Sequence, residues 1–189
     1  MRKKLILLTG MPGSGKSIVV EIAKELGIEV LSMGDIVREE VAKRGLEPTS
    51  ANMLRIAKEL RITYGPDAIA KLLINRLKKI ESRLVLIDGV RNLQEVRVFR
   101  DYGDCVILAI HSSPKTRYER LRKRGRPDDP KNWNEFTYRD SVELELGIGN
   151  VIALADYVIV NEGSIGDFRQ LIVKYLMEVL KKFEDQSRS

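Results

Sequence analysis

The sequence predicts an α/β domain built on a parallel sheet. Three observations predict it. Short β-prone apolar runs at 5–9, 28–32, 84–88, 105–110 and 157–160 alternate with helical patterns, the alternation of βαβ units. The first run passes straight into a glycine-rich loop, Gly10-Met11-Pro12-Gly13-Ser14-Gly15-Lys16-Ser17, with a helical pattern behind it. The chain has 189 residues, 43% of them hydrophobic, which suits one domain with a sizeable core and small insertions.

The loop fits the pattern G-x-x-x-x-G-K-[ST], and its context, strand before and helix after, is the one that pattern requires. Glycines allow the backbone angles and close approach that a Cβ obstructs. Successive N–H groups then face inward as an anion nest, and the following helix adds its positive end. Gly10, Met11, Pro12, Gly13, Ser14, Gly15, Lys16 and Ser17 are therefore candidate ATP-binding residues. Lys16 would reach the β- and γ-phosphates and Ser17 would ligate Mg²⁺. Ile18 to Leu26 carries apolar residues at helical spacing, and Gly27 stops the helix.

After the second run, residues 34–80 read as helix, with stops at Gly45-Leu46-Glu47-Pro48 and Tyr64-Gly65-Pro66. Met53, Ile56, Ala57 and Leu60 form one stripe, and Ile69, Leu72, Leu73, Leu77 and Ile80 another. This is too much helix for one crossover and reads as an inserted helical subdomain. Inserts after strand ends lie at the carboxyl edge of the sheet, where ligands of such folds bind.

The third run, Leu84-Val85-Leu86-Ile87-Asp88, ends four apolar residues with a carboxylate, the Walker-B pattern. Asp88 is a candidate Mg²⁺ residue, although Asp88-Gly89 also suits a plain strand-end turn. The fourth run begins at Cys105, the sole cysteine, which reads as a buried core thiol. His111 follows that run with no partner at ligand spacing. From Lys115 to Arg126, seven of twelve residues are basic. Pro114 offers a first helical position and Gly125 a stop. Arg117, Arg120 and Arg124 share a face. A polar loop from Pro127 to Asn134 leads to a second helix with Arg139-Asp140. Trp133 could stack on a base, but a lone Trp of this kind more often packs a lid against the body. The last helix carries Phe168, Leu171, Ile172, Tyr175, Val179 and Phe183 as one stripe, and residues 184–189 read as a frayed tail.

Several segments resemble the P-loop nucleoside monophosphate kinases. Ser32-Met33-Gly34-Asp35-Ile36-Val37-Arg38 is similar to their acceptor-binding segment. The resemblance implies that Arg38 grips an acceptor phosphate as a bidentate fork, with Asp35 beside it; by themselves these residues also suit an ordinary helix start with Asp35 as N-cap. Adenylate kinases carry Asp-Gly-Phe-Pro-Arg where this chain has Asp88-Gly89-Val90-Arg91. Here the Pro is absent and Arg91 comes one residue earlier, placed by the likeness at the acceptor. Residues 115–146 resemble the lid of such kinases. That implies that Arg120, Arg124, Arg126 and Arg139 act on the transferring phosphoryl group, stabilising charge and expelling water. Ala155 to Ser164 resembles the last-strand segment of dephospho-CoA kinases, which implies Asn161 near the adenine. The stretch 88–96 and the lid through Asp140 are most similar to an archaeal group called adenylate-kinase-related or dephospho-CoA-kinase-like.

The resemblance implies a P-loop NTPase fold: a five-stranded parallel sheet of order 2-3-1-4-5 with helices on both faces, a helical acceptor-binding insert (34–80) and a short lid (115–146) within one kinase domain. It implies transfer of the γ-phosphoryl of ATP, with Mg²⁺, to a small phosphorylated acceptor such as a nucleoside monophosphate. Lys16, Asp88 and the lid arginines would be catalytic. A kinase of a larger adenine-containing substrate such as dephospho-CoA, or an ATPase switch with an RNA or protein partner, stands as the alternative. Guanine-reading Asn-Lys-x-Asp and the Ser-Gly-Gly-Gln signature are absent from the sequence, which argues against a GTPase and an ABC-type ATPase.

Composition narrows partners and compartment. A net charge of +6, from 33 basic and 27 acidic residues, fits phosphorylated small molecules as well as nucleic acid. Nucleic acid is not favoured, since aromatics are sparse around the basic run and no RNA-module signature occurs. Charged residues at 32% are common in heat-adapted proteins. No apolar run approaches the 18 residues of a membrane span. Met1-Arg2-Lys3-Lys4 resembles a signal-peptide start, but the apolar run behind it is four residues long and cleavage there would destroy the loop. With one cysteine and no disulfide, a cytoplasmic protein is expected.

Overall fold

The computed structural model describes residues 2–126 and 129–188, with the backbone alone for residue 50 and residues 182–188. Pro127 and Asp128 of the polar loop, Ser189 of the tail and the Phe183 side chain of the terminal stripe lie outside the described residues. Five strands, β1 (Lys3–Thr9), β2 (Glu29–Ser32), β3 (Leu84–Asp88), β4 (Gly103–His111) and β5 (Tyr157–Val160), form one parallel sheet of order β2-β3-β1-β4-β5. All five expected strands are present. The fourth starts two residues earlier than the apolar run, because Gly103 and Asp104 pair with Lys3 and Lys4 at the foot of β1.

Alternation along the strands sends successive side chains to opposite faces. Leu5, Leu7, Val85, Ile87 and Ile107 enter one core with α2 (Met33–Lys43), α3 (Ser50–Tyr64), α4 (Ala68–Leu77), α5 (Leu93–Tyr102) and α8 (Ile148–Ala153). Ile6, Leu8, Leu86, Leu108 and Ile110 enter the other, against α1 (Lys16–Glu25) and α9 (Ile165–Arg188). The three helices between β2 and β3 share the sheet's own core. Ile56, Ala57 and Leu60 of α3 and Ile69, Leu73 and Leu77 of α4 are all buried in it. The helix starts are locally specified. Ser32, not Asp35, caps α2, with its hydroxyl accepting from the Gly34 N–H at 3.1 Å. Ser113 caps α6 (Pro114–Arg124), Pro114 fills its first turn, and Gly125 ends it in the left-handed region.

Three expectations need correction. Leu171 is 49% exposed, while Leu176 is fully buried in its place. The α9 stripe therefore runs through 168, 172, 175, 176 and 179, one position round from the spacing read in the sequence. Cys105 is half-buried at the margin of the larger core, not within it; burial still pushes its thiol up to about 12. The tail continues as helix to Arg188.

β1 lies centrally, with the chain running to β2 and β3 on one side and to β4 and β5 on the other. The glycine-rich loop leaves the carboxyl end of β1, the ligand-binding edge of a parallel sheet.

Candidate active site

Thr9 closes β1 by donating its hydroxyl to the Val90 carbonyl at 2.8 Å, which ties the start of the loop to the segment after β3. Gly10, Gly13 and Gly15 hold φ of 142°, 82° and 110°. All three would clash on gaining a Cβ, one on Gly13 lying 2.9 Å from the Arg117 carbonyl oxygen. A Cβ on Gly10 would lie 2.4 Å from the Ile110 carbonyl oxygen, and one on Gly15 would lie 2.4 Å from Asn161 Nδ2.

Behind the loop lies a buried network. Asn161, at the end of β5, donates Nδ2 to the Ser14 carbonyl at 2.8 Å and accepts on Oδ1 from Arg120 at 3.2 Å. Ser112 donates to the Asn161 carbonyl at 2.6 Å and accepts from Arg120 at 3.0 Å. Arg117, with its side chain 4% exposed, donates to the carbonyls of Ser112 and Pro12 at 3.1 and 3.2 Å. It also forms a bidentate pair with Asp140 of α7 (Trp133–Glu145) at 2.8 and 2.6 Å. The loop is thus held from β4, β5, α6 and α7 together. Asn161, expected near an adenine, is engaged by the loop backbone.

The Lys16 ammonium donates to the carbonyls of Gly10 and Met11. Burial lowers its pKa to about 8, against the opposing charges of Asp88 and Glu143 and with those of Arg91 and Arg117. Asp88 is the last residue of β3. Burial raises its carboxyl above the ordinary value, and Lys16 and Arg91 pull it back. Its Oδ1 is buried and has no hydrogen-bond partner among the described residues. Ser17 is an exposed residue in the first turn of α1. An orphaned carboxylate oxygen and a hydroxyl, both hard donors, fit Mg²⁺, which is held by one or two protein oxygens plus phosphates and water. Among the described residues no group of three or more His, Cys, Asp or Glu could hold a metal alone.

Lys16 lines a small pocket together with Gly10, Pro12, Gly89, Val90, Arg91, Glu143 and Ile148. Arg91 Nε lies 2.8 Å from Glu143 Oε2, with side chains 32% and 12% exposed. The contact is an ion pair with imperfect hydrogen-bond alignment, and it raises the Arg91 pKa further. The Arg91 N–H donates to Glu95 Oε2 at 2.8 Å, and Glu95 Oε1 accepts from the buried Arg61 at 2.9 Å. Asp35 and Arg38 pair with each other one turn apart on α2, each about half exposed.

The two helices of the basic segment meet through aromatic rings. Trp133 lies 5.1 Å from both Tyr118 and Phe136, centroid to centroid. It therefore joins α6 to α7, where the sequence suggested packing on the body. Farther out, Asp129 gathers the expected lid arginines. It accepts from Arg124 at 2.9 and 2.5 Å and from the Arg126 N–H at 3.0 Å, with Arg139 at 3.7 Å. Burial raises its pKa, but those hydrogen bonds and the charges of Arg124 and Arg139 outweigh it and leave it below the ordinary value.

The sequence-predicted residues thus fall into four places. Gly10, Pro12, Lys16 and Arg91 line one pocket, with Asp88 within electrostatic reach of Lys16; Arg120 and Asn161 lie together beneath the loop; Asp35 pairs with Arg38; Arg124, Arg139 and the Arg126 backbone meet at Asp129. Arg117, Asp140, Ser112 and Glu143 have no assigned role in the sequence reading. One signal marks two of them. Phe136, Asp140 and Glu143 share a helical stripe, and Phe136 is the buried apolar residue of α7. Carboxylates continuing a buried stripe require cationic partners.

A profile of the AAA domain matches residues 9–137. A UPF0200 protein of Hyperthermus butylicus is 52% identical over 164 residues, spanning 87% of this chain and 88% of that one. The chain belongs to the UPF0200 family. A UPF0200 protein of Methanocaldococcus jannaschii is 49% identical over 95% of this chain and 92% of its own. Among solved structures, TT1252 of Thermus thermophilus superposes with a TM-score of 0.69 at 20% identity, covering 96% of this chain and 98% of that one. Shikimate kinase of Acinetobacter baumannii, in complex with shikimate, gives 0.59 at 18% identity, covering 96% and 95%. These likenesses establish a P-loop kinase-like fold. Among the described residues, no helix is long and apolar enough to cross a membrane.

Proposed function

We propose that this protein transfers the γ-phosphoryl group of Mg-ATP to a small acceptor. The observation that carries this reading is the pocket itself. Lys16, with Gly10 and Pro12 of its loop, lines it together with Arg91 and Glu143. A second substrate placed there faces the end of a nucleotide held by the loop. ATP phosphates would replace the Gly10 and Met11 carbonyls as partners of Lys16. Ser17 and the orphaned Asp88 oxygen would hold Mg²⁺, which would offset the negative charge of the phosphates. Positioning and charge stabilisation suffice for such a transfer, with no covalent protein intermediate.

The acceptor implied by family resemblance is a nucleoside monophosphate. A second reading, a small hydroxyl-bearing acceptor, is favoured by Glu143 at Arg91. The test is Mg-ATP with a panel of acceptors, following ADP and phosphorylated product together. A new phosphorylated product is expected, and Lys16→Met lowers its rate by about 10²–10³-fold, the scale for losing one transition-state donor. ADP and free phosphate formed at a rate indifferent to every acceptor would instead indicate an ATPase switch.

A further inference from the structure

Glu143 is the one charged residue of the Lys16 pocket supplied by α7. Its carboxylate is 12% exposed and lies 2.8 Å from Arg91 Nε. Lys16 feels the charges of Glu143 and Asp88 together, so both carboxylates stand within electrostatic reach of the phosphate-anchoring ammonium. The two cations at the pocket, Lys16 and Arg91, are thereby matched by two carboxylates. On the α2 side Arg38 is likewise matched by Asp35.

This balance discriminates between acceptors. A phosphate acceptor brings about two negative charges and needs cations in excess; here it meets a buried carboxylate on the very arginine available to it, and like charges at that range exclude it. Its attacking oxygen is already deprotonated at neutral pH and requires no base. A hydroxyl acceptor is neutral, tolerates the balanced pocket, and must lose a proton as its oxygen bonds to phosphorus. A carboxylate positioned beside the transferring group is how kinases of hydroxyl substrates meet that need.

Resting on the phosphotransfer reading above, we propose that the acceptor is a small molecule that presents a hydroxyl group, and that Glu143 accepts its proton. The hydroxyl oxygen forms a bond to the γ-phosphorus. The bond from that phosphorus to the β,γ-bridging oxygen breaks, and its electron pair leaves with ADP. The hydroxyl proton passes to a Glu143 carboxylate oxygen. Arg91, paired with Glu143 at the pocket, orients that carboxylate and is a positioning residue in this step.

The experiment pairs nucleoside 5′-monophosphates with the corresponding nucleosides and with small polyols as probes, each with Mg-ATP and the full chain. The product bond is read by phosphorus NMR. Phosphomonoester formation is expected. Phosphoanhydride formation, with monophosphates as the active probes, overturns the hydroxyl assignment while leaving the phosphotransfer reading intact. Free phosphate as the sole product with every probe overturns both. With the active hydroxyl probe, Glu143→Gln is expected to lower kcat by about 10²–10⁴-fold with the KM for ATP within about twofold of wild type, and Glu143→Asp to restore part of the loss and shift the pH–rate profile. Unchanged monoester formation in Glu143→Gln overturns the role of Glu143. The product-bond measurement needs only the wild-type chain, so it decides the acceptor class even if the Gln variant is poorly folded.

Discussion

Arg117 and Arg124 stand two turns apart on one face of α6, and each forms a bidentate pair with an aspartate. Their surroundings differ. Arg117 is 4% exposed, lies 5.0 Å over the Phe136 ring and reaches the loop carbonyl of Pro12. Arg124 is 34% exposed and, with Arg139, meets Asp129 near the outer end of the helix. The first arginine is architecture for the phosphate loop. The second is itself a third exposed, in a cluster gathered on the buried Asp129. The contrast teaches that depth, more than residue type or spacing, separates a structural arginine from one available to a ligand.

The largest expected effect is at the deep end. Arg117→Ala leaves Asp140 buried without its cation and Pro12 without its donor. Loss of a buried partner costs about 3–5 kcal/mol, a fall of roughly 6–20 °C in Tm for a chain of this size, read by calorimetry. A loss no greater than that of an exposed pair would collapse the distinction. Next comes Asn161→Ala, which removes the hydrogen bond to the buried Ser14 carbonyl and an acceptor of Arg120. About 1–3 kcal/mol of stability is expected to be lost. Titration calorimetry should also find ATP bound roughly tenfold more weakly, on the order of 1.4 kcal/mol; unaltered ATP affinity would mean that the network does not shape the loop. The smallest effect is Asp129→Asn, about 1 kcal/mol, because the buried Asp129 pairs with an Arg124 that is a third exposed and keeps water, and the amide oxygen still accepts one of its hydrogen bonds. Its signature is in pH. A carboxyl held below its ordinary value contributes fully above the unfolded pKa, near 3.9, and loses that contribution as pH falls through the lower folded value. The Tm difference between wild type and Asp129→Asn should therefore be present at pH 6 and close in acid. A difference that persists at pH 2 would argue against the ion-pair origin.

The same contrast explains what the sequence discloses. The phosphate loop, Asp88 and the five strands are legible because each is written in a contiguous run: a glycine pattern, an apolar stretch, a carboxylate at its end. Arg117–Asp140 and Arg91–Glu143 are not, since each joins residues brought together only when α7 folds back over the loop. Arg117 was visible as one of three arginines on a face, but spacing assigns a face and says nothing of depth. Leu171 and Leu176 fail for a related reason. Either continues an apolar stripe on α9, and only docking on the sheet determines which flank is covered. Asn161 fell at the right strand end, yet its partner is a backbone carbonyl 147 residues away, and a backbone acceptor has no sequence signature.

Trp133 is the chain's sole tryptophan, and it sits at the α6–α7 joint, 45% exposed, between Tyr118 and Phe136. The protein therefore carries a native optical gauge. Its indole emission responds to any change in the angle between these two helices, and no second indole dilutes the signal. A titration read on that emission needs no label, and a change in it would report movement at this joint.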